Sequence, residues 1–333
     1  MILVAGDVGG TKTLLCASRA GAGWGTPFLE QRYESGAYPN FAALLGDFLA
    51  RLDAPAAHAA FGVAGPVIDG RCHATNLPWT LDEAQLAAAL GLRRVRLVND
   101  FVAAARGVLE LGPQAQVVLQ EGRPDPHGTM GVLGAGTGLG EAIIVWHAGR
   151  PQVVPTEGGH GDFAPRTDEE IELLRFLRAR FGRVSYERLL SGPGIVNLYE
   201  FVRARGRHPE SREVAAALAA GDPAAAVTRF AGDPGDPLCR EALELFVTLY
   251  GAEAGNLALR VLATGGVFVA GGIAPRLQPH FLDGRFLEAF LAKGRYRTLL
   301  ERVPVRLVTD DRAGLLGALS LAAESAGEGA ASR

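Results

Sequence analysis

Apolar residues along this chain alternate between short unbroken runs and spacings of three and four, the pattern of strands interleaved with amphipathic helices. Met1 to Ala5 is such a run; Gly6-Asp7-Val8-Gly9-Gly10-Thr11-Lys12-Thr13 turns it, and Leu14 to Ser18 runs out again before Gly21-Ala22-Gly23. A segment that short between glycine clusters predicts strand, Gly-rich turn, strand. Phe28 to Tyr33 predicts a third strand, and Phe41, Leu44, Leu45, Phe48, Leu49 and Leu52 mark the buried face of a helix. Ala59 to Ala64 reads as strand. Thr80 with Glu83 is a capping-box signal for a helix over Leu81 to Leu90, and Val95 to Val98 is the next strand.

The same opening returns further on. Met130 to Leu133 is apolar, Gly134-Ala135-Gly136-Thr137-Gly138-Leu139-Gly140 turns, and Glu141 to Trp146 is apolar again, which suggests a duplicated unit. Thr167 and Glu170 box the start of a helix over Glu169 to Arg180, a long periodic segment covers Leu238 to Leu262, and Val267 to Ala270 and Val303 to Val308 read as strands. A last helix, Gly314 to Ala323, is expected to give way to a frayed tail from Ala326 to Arg333. The repeat places a boundary near Val108 to Gly112, hence a small α/β domain over 1–109, completed by 312–333, and a large one over 110–311.

Charge narrows the function classes. With 33 Lys+Arg against 36 Asp+Glu in 333 residues, the net charge is -3 and no like-charge block offers a nucleic-acid or anionic-membrane footprint. No run approaches bilayer length and the start lacks a signal-peptide core, so a soluble, unexported protein is expected. Cys16, Cys72 and Cys239 form no Cys-x-x-Cys pair, which fits a reducing cytoplasm. The 44 glycines are about 13% of the chain, nearly twice the usual share, and they sit in discrete turns.

Those turns carry the candidate chemistry. In Asp7-Val8-Gly9-Gly10-Thr11, consecutive glycines let backbone N–H groups approach phosphate oxygens, Thr11 adds a hydroxyl, and Asp7 suits a hydrated Mg²⁺. A Walker loop is excluded, because Thr11 stands where glycine should precede Lys12 and a strand follows instead of a helix. The turn over Gly136, Thr137 and Gly138 fails the dinucleotide pattern, whose third glycine would fall on Leu139 or Glu141, so a second phosphate-cradling hairpin is the better reading. Gly271-Gly272 ends a strand and could lie beneath a nucleobase or ribose. Asn99-Asp100 follows a strand and opens a helix, where Asp100 reads equally as an N-cap. Glu157-Gly158-Gly159-His160 reads as a surface loop or, with Asp162, a metal corner without further ligands, and Glu187 reads as an exposed helix charge.

Together with His73-Ala-Thr-Asn76-Leu-Pro-Trp79, Leu190-Ser-Gly-Pro-Gly194 and Gly314-Leu-Leu-Gly317, these motifs make the chain resemble the bacterial ATP-dependent glucokinases over nearly its whole length. The resemblance implies a two-domain hexokinase/actin-like α/β fold, a duplicated ribonuclease H-like unit with the active-site cleft between the domains. It implies ATP and Mg²⁺ against the turns of Asp7, Gly9, Gly10, Thr11, Lys12, Gly136, Thr137, Gly138, Gly271 and Gly272. Asp100 becomes the general base, and Asn76, Asn99, Asp100, Glu157, His160 and Glu187 the sugar ligands, with Trp79 expected beside the sugar. Lys12 departs from the smaller polar residue usual there. The chain is more distantly similar to the ROK kinases and repressors, but only Cys239 follows His160, so their cysteine-rich zinc motif is absent.

The expected activity is ATP-dependent phosphorylation of glucose at its 6-hydroxyl, with glucose and ATP as partners and a homodimer left open. A kinase for another hexose or an N-acetylhexosamine stays as the nearer alternative. An actin- or heat-shock-type ATPase is the farther one, in which Asn99, Asp100, Glu157 and His160 would have no role.

Overall fold

The computed structural model describes residues 1–20, 26–75, 77–232 and 235–331, with side chains to 327, in two compact units: Met1–Ala115 with Asp310–Arg333, and Gln116–Thr309. Asn76 lies outside the described residues.

In the first unit, β1 (Ile2–Val8) and β2 (Lys12–Arg19) form the expected hairpin, and β3 (Leu29–Glu34) pairs on its outer edge. Helix α1 (Phe41–Leu49) is capped by Asn40, whose side chain accepts from the Ala43 N–H, and buries Phe41, Leu44, Leu45 and Phe48 as the periodicity predicts. β4 (Ala56–Val63) then runs parallel to β1. Three short strands, β5 (Val67–Ile68), β6 (Arg71–His73) and β7 (Thr80–Asp82), make a small sheet of their own before α2 (Glu83–Leu90), β8 (Arg94–Asn99) and α3 (Asp100–Val108). The main sheet has the order β3-β2-β1-β4-β8.

The predicted cap of α2 is corrected: Thr80 belongs to β7, and Asp82 caps the helix by accepting from the Gln85 N–H at 3.0 Å. The Glu83 carboxylate instead accepts from the Leu97 N–H at 2.7 Å and ties the helix to β8. Trp79 is corrected too. It is 2% exposed and packs beside Phe41 in the apolar core on the α1 side of the sheet.

The other face is covered by α3 and the C-terminal helix, Ala313–Ala331, which reaches into the segment expected to fray. Two glycines let these helices touch. A Cβ at Gly107 would fall on the Ala313 carbonyl, and one at Gly317 on the Ala103 carbonyl. Arg106 fastens the contact, donating to Ser320 at 3.0 Å and pairing with Glu324 at 2.7 Å.

The second unit repeats the pattern. After β9 (Gln116–Gln120), the hairpin β10 (Met130–Ala135) and β11 (Leu139–His147) is extended by β12 (Arg150–Thr156). The helices α4 (Asp168–Phe181), α5 (Gly192–Ala204), α6 (Arg212–Ala220), α7 (Pro223–Phe230) and α8 (Pro237–Val261) follow. β13 (Gly266–Ala270) and β14 (Val305–Val308) complete a sheet ordered β12-β11-β10-β13-β14-β9. Its first five strands reproduce the first sheet's directions, with β10, β13 and β14 parallel as β1, β4 and β8 are. Thr167 caps α4 as predicted, accepting from the Glu170 N–H. Helix α8 is buried along most of its length against α5 and the strands, which is why its apolar positions run nearly all round. Among the described residues no helix is long and apolar enough to cross a membrane.

Candidate active site

Both hairpin turns stand at the carboxyl ends of parallel strands, where open α/β sheets present ligand sites. In the first unit, the Gly9 N–H donates to the Lys12 carbonyl at 3.0 Å and closes the turn. Ser35, wholly buried, then braces it from outside: its hydroxyl donates to the Gly9 carbonyl at 2.8 Å, its N–H to the Thr11 carbonyl at 3.0 Å, and the Thr13 hydroxyl lies 3.0 Å from its Oγ. The bracing uses the carbonyls of Gly9, Thr11 and Lys12, so the N–H groups of Gly10 and Thr11 take no part in it. Thr11 and Lys12 are exposed.

Asp7 stands at the end of β1 and Asp100 just beyond the end of β8, with Gly62 of β4 in register between Asp7 and Val98. Gly62 is required: a Cβ there would lie 2.9 Å from the Ala103 Cβ and 3.3 Å from the Asp100 Cα. The two carboxylates feel each other. Asp7 is pushed up to about 6, first by burial and then by the charge of Asp100, and burial likewise raises Asp100 above the ordinary carboxylate range. Among the described residues the Asp7 carboxylate takes no side-chain hydrogen bond, and Gly314 at the head of the C-terminal helix leaves room beside it.

Asn99, not Asp100, is the cap of α3. Its Oδ1 accepts from the N–H groups of Phe101 at 2.9 Å and Val102 at 3.4 Å, and its Nδ2 donates to the Gly65 carbonyl at 3.3 Å and to the Asp100 carboxylate. Asp100 accepts from the Phe101 N–H, at 2.9 Å, and from the Asn99 amide, and leaves the capping role that the sequence left open for it to Asn99.

In the second unit, the Gly136 N–H donates to the Gly138 carbonyl at 2.8 Å, and the Gly136 carbonyl accepts from the Gly192 N–H at the start of α5, also at 2.8 Å. Ser191 caps α5 through the Gly194 N–H at 3.0 Å and donates to the Glu187 carbonyl at 2.7 Å. Glu187 sits against the turn: its Oε2 accepts from the Leu139 N–H at 3.1 Å, in space that a Cβ at Gly138 would fill. His160 lies between two carboxylates, Nδ1 3.9 Å from Glu187 and Nε2 3.9 Å from Glu157.

The turn from Glu157 to His160 lies against β11. A Cβ at Gly159 would fall on the Leu139 carbonyl and one at Gly158 on the Glu141 carboxylate. Arg183 holds it from the far side, donating to the His160 carbonyl and pairing with Asp162 at 2.7 Å, which commits the carboxylate that a metal corner would have used. Gly271, at φ 83°, tucks its turn under Ala135, so Gly271 and Gly272 stand beside the second hairpin's turn. Thus each unit assembles its own predicted residues: Asp7, the first turn, Asn99 and Asp100 in one; the second turn, Gly271, Gly272, Glu157, His160 and Glu187 in the other.

Sequence reasoning missed Ser35, Gly62 and Tyr250, whose hydroxyl accepts from the Ala135 N–H at 2.8 Å. These act through tertiary contact and leave no local signal. Ser191 had one, a Ser immediately before Gly-Pro.

The whole arrangement is matched elsewhere. The model of the family described as Glucokinase matches residues 4–325. A glucokinase of Synechocystis sp. is 42% identical over 97% of this chain and 98% of its own length, and one of Nostoc sp. is 40% identical over 97% and 99%. The crystal structure of a glucokinase from an Antarctic psychrotroph superposes with a TM-score of 0.86 at 31% identity, covering 97% of this chain and 99% of that one. The architecture is therefore hexokinase/actin-like, and the chain belongs to the glucokinase family.

Proposed function

We propose that the protein transfers the γ-phosphoryl group of ATP to the 6-hydroxyl of glucose. The observation that carries this reading is the placing of Glu187, with one carboxylate oxygen on the Leu139 N–H of a Gly-rich phosphate turn and the other facing His160 and, beyond it, Glu157. Ionised carboxylates accept strongly from hydroxyls and would repel an anionic sugar acid, so such a corner favours a neutral polyol. Its direct attachment to a phosphate-cradling turn couples sugar position to phosphate position.

Asp100 is the general base. Free of the helix cap and raised by burial, it is a stronger proton acceptor than an exposed aspartate and takes the proton from the 6-hydroxyl. Asn99 and Asn76 are assigned to the sugar from the resemblance, and the Asn99 amide also orients the Asp100 carboxylate. The N–H groups of Gly10 and Thr11, the Thr11 hydroxyl and the Lys12 ammonium of the first unit stabilise phosphate charge. The turn over Gly136, Thr137 and Gly138 of the second unit has the same role, with Gly271 and Gly272 against the nucleoside. Because phosphoryl transfer passes through a loose transition state, alignment and charge stabilisation supply most of the rate.

The residues present suit Mg²⁺. Asp7 is a carboxylate without a hydrogen-bond partner among the described residues, destabilised by burial and by Asp100, a hard oxygen donor beside the first turn. Among the described residues no three His, Cys, Asp or Glu side chains cluster as a ready-made metal site, and an ion shared between one carboxylate and ATP phosphates needs none. When bound, Mg²⁺ would neutralise phosphate charge, and Asp7 would hold it through water.

Initial rates with ATP over glucose, mannose, fructose, N-acetylglucosamine and N-acetylmannosamine test the assignment. The highest kcat/KM is expected for glucose. A higher value for an N-acetylhexosamine would replace glucose by that sugar, and ATP loss independent of any sugar would reject a sugar kinase.

A further inference from the structure

Behind the turn of Glu157 to His160 lies a buried polar network that the reaction as described does not use. Glu141 of β11 is 3% exposed, its Oε2 faces Gly158, and its Oε1 is wholly buried without a hydrogen-bond donor among the described residues. Glu253 of α8 is fully buried beside it, and both oxygens are committed, Oε1 to Arg260 at 2.7 Å and Oε2 to the Asn256 amide at 2.8 Å. Arg260 is 3.8 Å from Glu141, too far to hydrogen-bond it. Asn256 also donates to the Tyr186 hydroxyl at 3.0 Å and accepts from Lys293 at 2.5 Å. The network therefore touches the sugar corner twice, at Gly158 and at Tyr186, the neighbour of Glu187.

Two ionised carboxylates buried side by side, with one half-exposed guanidinium between them and one of them with an unsatisfied acceptor, is a costly arrangement. One proton removes the cost. An O–H on the Glu141 Oε1 would donate to Glu253, which lies within hydrogen-bonding reach, turning two facing acceptors into a bond and removing one of the like charges.

We propose that Glu141 is a positioning residue for the sugar corner: it carries a proton that it donates to Glu253, and in that form it seats Gly158 and thereby Glu157 and His160. The proposal rests on the reading of that corner as the sugar site. Ionisation would set Glu141 against Glu253 and draw its oxygens toward Arg260 or water, away from the Gly158 backbone. Glu141 is pushed up to about 8 by burial first and Glu253 second, against the pull of Arg260. The facing groups are Tyr250 and Tyr186, both raised chiefly by burial, and Lys293, lowered to about 8 chiefly by burial, with Arg166 and Glu170 beyond it.

The linkage has a definite sign. Folded Glu141 keeps a proton that the unfolded chain releases near 4.5, so its contribution makes stability fall as pH rises from there to about 8 and level off above. Lys293 acts oppositely and only above about 8, where the folded protein binds fewer protons than the unfolded one.

The test compares the wild type with Glu141→Gln, whose amide donates to Glu253 at every pH. Infrared difference spectra should contain a protonated-carboxyl band in the wild type near neutral pH that is lost in alkali and absent from Glu141→Gln. The glucose KM of the wild type should rise roughly threefold or more between about pH 6.5 and about pH 9, with a smaller change in kcat, while that of Glu141→Gln stays flat. Glu253→Gln removes the like charge and the carboxylate acceptor, so its band should disappear at a lower pH than in the wild type; an unchanged band would overturn the proposal, which keeps the test decisive if Glu141→Gln does not fold. Absence of the band in the wild type, or the same KM profile in both proteins, overturns the proposal while leaving glucose turnover intact. Absence of glucose turnover in the wild type instead defeats the sugar reading, and the positioning role with it.

Discussion

Replacing Asp100 by Asn separates catalysis from architecture, because the structure assigns the helix cap to its neighbour. Asn99 satisfies the first N–H groups of α3, and Asp100 accepts from Phe101 and from the Asn99 amide, bonds that an Asn oxygen can also take. The substitution also removes one of two like charges. Asp7 is shifted from 3.8 to about 6, roughly 3 kcal/mol for burial and Asp100 together, and burial is the larger cause. Less than half of that, at most ~1.5 kcal/mol, belongs to Asp100 and is recovered at neutral pH in Asp100→Asn.

The sign follows from linkage: folded Asp7 holds its proton longer than the unfolded chain does, so its contribution to stability falls between about pH 4 and about pH 6. That fall should shrink in the variant. Urea denaturation at neutral pH should therefore find Asp100→Asn as stable as the wild type or up to ~1.5 kcal/mol more so, while kcat drops roughly 10²- to 10⁴-fold. Asn99→Ala is the contrast, costing about 1 kcal/mol for the lost cap. Retention of more than a tenth of kcat in Asp100→Asn, or a stability loss equal to that of Asn99→Ala, would refute the reasoning.

Ser35→Ala removes the hydroxyl that braces the first turn, so it should cost about 1–3 kcal/mol and raise the ATP KM more than the glucose KM in steady-state kinetics. Gly138→Ala puts a methyl group where the Glu187 carboxylate lies and should lower both stability and glucose affinity, whereas Gly136→Ala meets open space and should unfold at the wild-type urea concentration. Glu157→Gln and His160→Ala should each raise the glucose KM with little change in the ATP KM; equal effects on both would remove these residues from the sugar.

The two hairpins were legible because glycine clusters cut apolar runs at the same spacing twice, and the long helices because their apolar period is sustained. The small sheet of β5, β6 and β7 was not, since strands of two or three residues are too short to express a period. β12 was hidden by Pro151 and Pro155, which an edge strand tolerates. Where two cap-forming residues adjoin, as at Asn99 and Asp100, spacing alone does not choose between them, and backbone geometry does. The Thr80 and Glu83 signal misled because Glu83 found a partner on β8. Glu187 joined Glu157 and His160 only through the resemblance, because the bond from Glu187 to Leu139 spans 48 positions of chain.

The central claim, that a sugar hydroxyl and not water takes the phosphoryl group, is tested most directly by following ATP with ³¹P NMR in the presence and absence of glucose. The account predicts that each γ-phosphate lost reappears as a sugar 6-phosphate, and that ATP persists when glucose is withheld. Inorganic phosphate released at a comparable rate without glucose would contradict it.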